Sequence, residues 1–266
     1  MTAKTEAPAK LTPGDARALL RSPEARAIER RLLLRRALSL GALTALTGCD
    51  VTDGDAVQAA LVAVSRWNDR VQAWLFDPSR LAPTYAEADV RRPWRYNAFY
   101  PAEKTPVLDA ATYRLKLDGA VGRRDPWTVD QLQALPQVSQ ITRHVCVEGW
   151  SAIGKWTGCP LAEFLRRVDA DTTAKYVYFE CADGYTCGID MPSALHPQTL
   201  MAVRVNDEVL APKYGYPLKL RVPTKLGFKN PKLITALWVG NENRGGYWDD
   251  PRGKGPSSAY NWFSGS

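Results

Sequence analysis

The sequence predicts an α+β fold in which mixed β-sheets outweigh helices. Three observations lead there: strand-like runs bounded by turn residues outnumber stretches with helical spacing, their order is irregular instead of a strict strand-helix alternation, and no internal repeat is present. A chain of 266 residues, with 45% hydrophobic and 24% charged residues, can bury a core without staples and has an ordinary globular composition.

Val57, Leu61, Val64, Trp67, Val71, Trp74 and Leu75 recur at three- and four-residue steps, which predicts a helix from Asp55 to Phe76 acting as a cap or a stalk. Asp77-Pro78 ends it. Pro83 through Pro106 is punctuated by proline and rich in Tyr, Trp and Arg without periodicity, and so long an irregular stretch inside a domain is usually functional. Tyr113 to Gly119 alternates apolar with polar residues and reads as a strand, and Thr128 with Gln131 forms a capping box for a short helix ending near Leu135. A strand is predicted from Val138 to Val147, a helix from Pro160 to Val168 with proline in its first turn, and a strand from Tyr176 to Cys181. Asp183-Gly184 is a hairpin turn into Tyr185 to Met191, and as a two-residue turn it sets Cys181 opposite Thr186. A short helix at Ser193 to Leu195 precedes strands at Thr199 to Val205, Pro217 to Val222 and Leu233 to Val239. The segment from Gly245 to Phe263, rich in glycine and aromatics, is expected to wrap the body.

The formal charge is +7, but residues 1–48 carry +5 of it. With only +2 left for the rest, a nucleic-acid partner loses its electrostatic basis. Within that leader, Arg30-Arg31 precede an apolar run from Ala37 to Gly48, too short to cross a bilayer core of roughly 30 Å as a helix. The order from Arg30 to Arg35 resembles a twin-arginine export signal, and Leu46-Thr47-Gly48-Cys49 resembles a lipobox whose cysteine is acylated. The expected organisation is a signal peptide over 1–48, an N-terminal helix and linker over 49–92, and one catalytic domain over 93–266. The expected location is the periplasm or the outer surface of the membrane, with a lipid tether possible at Cys49.

His144 and His196 stand far apart without a carboxylate-rich or paired-histidine motif, which argues against a zinc or di-iron site. No G-x-G-x-x-G after a strand, P-loop or G-x-S-x-G occurs. Besides Cys49 there are Cys146, Cys159, Cys181 and Cys187, and in an oxidising compartment two disulfides are the default. Cys146 sits awkwardly with that default, lying beside a glycine at the end of an apolar strand. There a thiolate can face a ligand.

Cys146-Val-Glu-Gly-Trp-Ser-Ala-Ile-Gly-Lys-Trp-Thr-Gly-Cys-Pro-Leu161 resembles the C-V-E-x-W-S-x-x-x-x-W-x-G-x-P-L motif of the sulfite-oxidase-like molybdopterin oxidoreductases, among them the periplasmic methionine-sulfoxide reductase catalytic subunit. Tyr96-Asn-Ala-Phe-Tyr100 is similar to the family's Y-N-x-F-Y, and Leu218 to Lys232 to its pterin-binding stretch. The resemblance implies the sulfite-oxidase α+β fold without a C-terminal immunoglobulin-like domain, a molybdenum-molybdopterin cofactor, and two-electron oxygen-atom transfer. It implies Cys146 as the metal ligand, and Asn97, Tyr100, His144, Cys181, Lys219, Lys229, Asn230 and Lys232 as cofactor contacts. A soft thiolate suits a high-valent metal, and Lys225, Lys229 and Lys232 around Gly227 offer cations and backbone N–H groups to a pterin phosphate. Lys219 stands where the family often has arginine, which keeps the charge and loses the bidentate fork. Cys181 either takes the place of a hydroxyl near the pterin or pairs with Cys187, and Tyr214 replaces a commoner His or Asn.

Glu148 reads as an acid-base or supporting group beside the metal, or as a surface carboxylate. His144 either orients the cofactor or is a satisfied core histidine. His196 belongs to a His-Pro-Gln-Thr segment that also resembles the family. The expected substrate is a small sulfoxide, with sulfite as the alternative, for which Arg95 and Arg143 are candidate anion contacts. No C-x-x-C-H haem motif occurs, so electrons are expected from a separate partner such as a membrane or periplasmic cytochrome. From another class, the same cysteines would fit a disulfide-stapled binding lipoprotein without catalysis.

Overall fold

The computed structural model describes residues 74–248 continuously and, before them, residues 57, 63, 64, 67, 68 and 70–72. The expected leader, Cys49 and the tail beyond Trp248 lie outside the described residues. The chain divides into a unit of residues 1–64 and a unit of residues 65–266, and the sheets lie in the second.

One sheet has the order β1-β9-β4-β5, from Lys116–Gly119 (β1), Ile234–Gly240 (β9), Tyr176–Cys181 (β4) and Thr186–Asp190 (β5). Only β1 and β9 run parallel there. The other has the order β2-β3-β6-β7, from Val138–Val145 (β2), Ser151–Pro160 (β3), Leu200–Val205 (β6) and Glu208–Val209 (β7), with Lys219–Arg221 (β8) also pairing β6. Every pairing in it is antiparallel. The mixed-sheet α+β expectation is met.

The helices are short: Val129–Gln133 (α1), Leu161–Arg167 (α2) and Met191–Leu195 (α3). The Thr128 hydroxyl accepts from the Gln131 N–H and the Gln131 side chain accepts from the Thr128 N–H, the reciprocal cap expected for α1. Pro160 closes β3 and is the N-cap of α2, one position earlier than expected, because its extended backbone still serves the strand. Asp190 caps α3 through the Ser193 N–H.

The strand β3 has no counterpart in the sequence expectations. Its side chains alternate regularly in burial, but two of the inward positions are Gly154 and Gly158. A Cβ on Gly154 would lie 2.6 Å from the Trp94 ring, and one on Gly158 2.2 Å from the Met201 carbonyl oxygen. Close approach of neighbours, instead of apolar side chains, marks this strand's inner face. The main core gathers Leu117, Phe164, Val177, Phe179, Leu220 and Leu237 around the first sheet and α2. A smaller cluster of Trp94, Trp156, Leu200 and Leu210 lies on the second.

Candidate active site

The strand β2 alternates, so Thr142 and His144 face inward while Arg143 faces out. The inward row continues past the strand to Cys146, 9% exposed, whose N–H donates to the Trp150 carbonyl at 2.9 Å. The turn closes with the Gly149 N–H on the Cys146 carbonyl, and Gly149 takes φ +84°, where a side chain would be strained. Cys146 is thereby presented to a cavity of about 190 Å³. Burial pushes its thiol up from the ordinary value, with the nearby Glu148 carboxylate adding to the rise.

Across the cavity runs the stretch from β8 to β9. Lys219, Arg221, Lys225, Lys229 and Lys232 are all buried, and no aspartate or glutamate is buried among the described residues. Burying a cation without an anion is costly, and hydrogen bonds to carbonyls only partly offset it. Lys219 Nζ donates to the Asn230 carbonyl at 2.9 Å, Lys229 Nζ to that of Gly188 at 2.9 Å, and Lys232 Nζ to those of Asn97 and Lys213. Arg221 donates to Asn230 Oδ1 at 2.8 Å and to the Arg143 carbonyl at 2.7 Å. Burial, reinforced by Lys232 and Arg221, lowers Lys219 to about 7. Burial likewise lowers Lys232 to about 8 and Arg221 to about 9.

His144 is 1% exposed, sits edge-on to Trp94 at 5.9 Å, and has no hydrogen-bond partner on either ring nitrogen. Burial first, then Arg221 and Lys219, hold it well below the ordinary histidine value, so the ring is neutral. A Cβ at position 227 would come within 2.7 Å of His144 Nε2, so glycine there lets the backbone pack directly against the ring. Arg221 Nε is likewise buried without a partner.

Of the residues singled out in the sequence, Asn97, Cys146, Glu148, Lys219, Asn230 and Lys232 line this cavity. Glu148 is exposed and accepts from Trp150 Nε1 at 2.8 Å, and Arg95 lies 4.3 Å over the Trp150 ring, near that rim. Tyr100 stands one bond behind the wall, its hydroxyl donating to Asp183 Oδ2 at 2.7 Å; burial and that carboxylate push its phenol strongly up. Lys229 flanks the lining residues Phe228 and Asn230. Cys181 is buried close enough to Asp183 and Lys219 for both to shift its thiol, which burial raises well above normal.

Other expectations separate from the site. Lys225 and Arg143 line a second cavity, and His196 is a structural residue bonded to the Arg80 carbonyl and the Gln198 N–H. Tyr214 donates to the Trp94 carbonyl at 2.7 Å. The hairpin register differs by one residue from the two-residue turn: Glu180 pairs with Thr186 and Cys181 faces Tyr185, because the loop spans Ala182, Asp183 and Gly184. Cys187 pairs with Phe179, and Cys146, Cys159, Cys181 and Cys187 are all free thiols, so none of the default disulfides is present.

Sequence reasoning missed Arg221 and Asp183. An arginine centred in the apolar strand Leu218 to Val222 is a signal that was there to be read. Asp183 looked like a turn residue, which it also is, and nothing local distinguishes the two roles.

A family model described as the oxidoreductase molybdopterin binding domain matches residues 102–248. The chain is 53% identical over 237 residues, 89% of its length and 88% of the other's, to an Azospira oryzae protein provisionally named protein-methionine-sulfoxide reductase subunit YedZ1. It is 31% identical over 217 residues, 68% of this chain and 65% of the other, to the protein-methionine-sulfoxide reductase catalytic subunit MsrP of Ralstonia nicotianae. Among solved structures it is similar to the sulfane dehydrogenase SoxCD from Paracoccus pantotrophus, at a TM-score of 0.49 and 20% identity over 53% of this chain and 42% of that one.

Proposed function

The chain belongs to the oxidoreductase molybdopterin-binding family, and from that premise we propose that it is the catalytic subunit of an exported sulfoxide reductase acting by oxygen-atom transfer. Membership makes it an enzyme with a molybdenum-molybdopterin cofactor, so the expectation of a non-catalytic lipoprotein falls. The sulfoxide reading draws on the names of the two relatives, and the word subunit in both supports a separate partner, to which we assign the electron donation that sulfoxide reduction requires.

The residues present fit the cofactor. Lys219 and Lys232 on the cavity wall, with Lys229 buried next to the lining residues Phe228 and Asn230, match a phosphate-bearing ligand, and the orphaned ring nitrogens of His144 lie against the lining residue Gly227. In this reading Cys146 is the metal's thiolate ligand. Lys219, Lys229, Asn230 and Lys232 would hold the pterin and its phosphate, with Asn97 and Tyr100 beside Lys232 and with His144 and Cys181 behind the wall. When bound, the cofactor supplies the two-electron redox change and accepts the oxygen atom.

Reduction of a sulfoxide takes two electrons and two protons to a thioether and water. Asp183 and Tyr100 form a hydrogen-bonded pair at the cavity wall, with the proton held on Tyr100 Oη and a carboxylate in reach of incoming solvent. Glu148, fixed by Trp150, guards the rim and can hand on a second proton. Phe99 and Tyr185, 5.9 Å apart by ring centroid, give the mouth an apolar lip suited to a thioether side chain.

The leader supports export through a twin-arginine signal to an extracytoplasmic location, with residues 1–48 removed, 49–92 as a helical linker, 93–266 as the catalytic domain and Cys49 as the lipid site. The observation that carries the proposal is Cys146, buried on a cavity that Lys219 and Lys232 also line. Cys146→Ser is expected to remove stoichiometric molybdenum and lower sulfoxide turnover by more than about 10²-fold with the fold retained. Metal analysis and a methionine-sulfoxide assay with an artificial donor test this. Full activity in the variant, or wild-type turnover of sulfite but no sulfoxide, would overturn it. Asp183→Asn should cost about 10²-fold in turnover with molybdenum retained, the scale of a lost proton-transfer group; an unchanged rate removes its role.

A further inference from the structure

We infer that residues 67–81 and the cavity they border form a docking face for an anionic lipid surface. Trp67, Trp74, Leu75 and Leu81 are 58%, 82%, 66% and 58% exposed, a concentration of large apolar side chains that a soluble surface seldom leaves bare. Trp67 and Trp74 are seven residues apart in a helical stretch, two turns on one face. Indole rings favour the boundary between headgroups and acyl chains, where the ring body is apolar and the N–H stays wet.

The face is a built surface rather than a loose end. Seven residues after the helical stretch ends at Leu75, Gln198 grips Ala82 from both sides, its Oε1 accepting from the Ala82 N–H at 2.7 Å and its Nε2 donating to the Ala82 carbonyl at 3.0 Å. His196 pins the Arg80 carbonyl at 3.1 Å. These two buried residues, which the catalytic site leaves unused, fix the segment to the body. Beside Leu75 and Leu81 opens a cavity of about 640 Å³ bordered by Arg80, Arg143 and Lys225. Its one carboxylate, Asp77, accepts from the Ser79 N–H and hydroxyl and offsets part of the Arg80 charge.

An apolar stripe flanked by two exposed arginines, Arg80 and Arg143, complements a phospholipid headgroup with its acyl chain. A second copy of the chain would bring like charges together, and an acidic protein would leave the tryptophans without an apolar medium. Cys49 lies 18 residues before Trp67, so an acyl anchor there would deliver this face to the bilayer. The inference extends the extracytoplasmic reading and is tested without the anchor.

The cofactor-loaded mature chain from position 49 carrying Cys49→Ala, which cannot be acylated, is sedimented with protein-free vesicles of phosphatidylglycerol and phosphatidylethanolamine, and with phosphatidylcholine vesicles. Binding to the anionic vesicles with a blue shift of tryptophan emission is expected. Trp74→Ser with Leu75→Ser should weaken it at least about tenfold, and Arg80→Gln with Arg143→Gln should remove its salt sensitivity. Sulfoxide turnover with a soluble donor and molybdenum content should stay unchanged in the Trp74/Leu75 variant, so a failed catalytic reading would appear there and not in sedimentation. Binding by the acylated chain alone, binding to native membranes but no protein-free vesicle, or self-association abolished by the same substitutions would each overturn the inference.

Discussion

Between Lys219 and Lys232 five cations lie at 8% exposure or less, whereas between Trp67 and Leu81 four large apolar side chains lie at 58% or more. The two stretches depart from the ordinary rule of burial in opposite directions. Charge placed inside is costly unless an anion joins it, and apolar area left outside is costly unless a nonpolar medium covers it. Neither stretch is arranged for its own stability alone, which fits the proposed roles of the inner one in holding the cofactor and of the outer one as an interface. Their anchoring differs accordingly. Lys219, Arg221, Lys229 and Lys232 are held by backbone carbonyls and Asn230, while the four outer apolar side chains have no polar group to bond and the segment is pinned by His196 and Gln198 at its base.

The largest effect that would break this contrast lies inside. Lys219→Met should stabilise the cofactor-free protein by about 1 to 4 kcal/mol, since it removes a buried cation, while weakening cofactor retention at least about tenfold. Thermal melts and pterin content after dialysis measure the two. If both moved the same way, the cation would be structural.

A smaller effect concerns pH. Lys219 and Lys232 fall to about 7 and about 8, below the ordinary lysine value, so the unfolded chain binds more protons than the folded one above pH 7. Stability of the cofactor-free protein should then rise from pH 7 to 8.5, with the cost of the buried charges fully present below that window. A melting temperature that falls over this range would contradict the assignment. Lys219→Met should flatten the slope.

The smallest effect is expected outside. Trp74→Ser should change unfolding free energy by no more than about 0.5 kcal/mol, because the ring is already in water. A loss of several kcal/mol in a denaturant melt would mean that the ring supports the fold, and the contrast between the two stretches would collapse.

Much of this was legible in the sequence, for a local reason. Cys146, Asn230 and the lysines lie in contiguous stretches whose residue types announce their chemistry, and β4, β6 and β9 carry apolar patterns dense enough to read. The capping box at Thr128 is local too. The strand β3 was illegible because Gly154 and Gly158 occupy inward positions where the fitting partner is the Trp94 ring or a neighbouring backbone. The roles of Lys225 and His196 were equally hidden. Each sits within a few residues of others that resemble the family, yet one lines the second cavity and the other braces the Arg80 turn.

By itself, then, the sequence determined the fold class and the family's cofactor and singled out Cys146, which lines the first cavity, because strand patterns and a sixteen-residue motif are properties of neighbours along the chain. Only the tertiary structure decided that Asp183 meets Tyr100 across 83 residues and that Arg221 joins β8 to the Arg143 carbonyl. It alone separated Lys219 from Lys225 into different cavities and left Trp67 and Trp74 bare. Those facts depend on which surfaces the packed sheets bring together, and burial and electrostatic coupling exist only once that packing is complete.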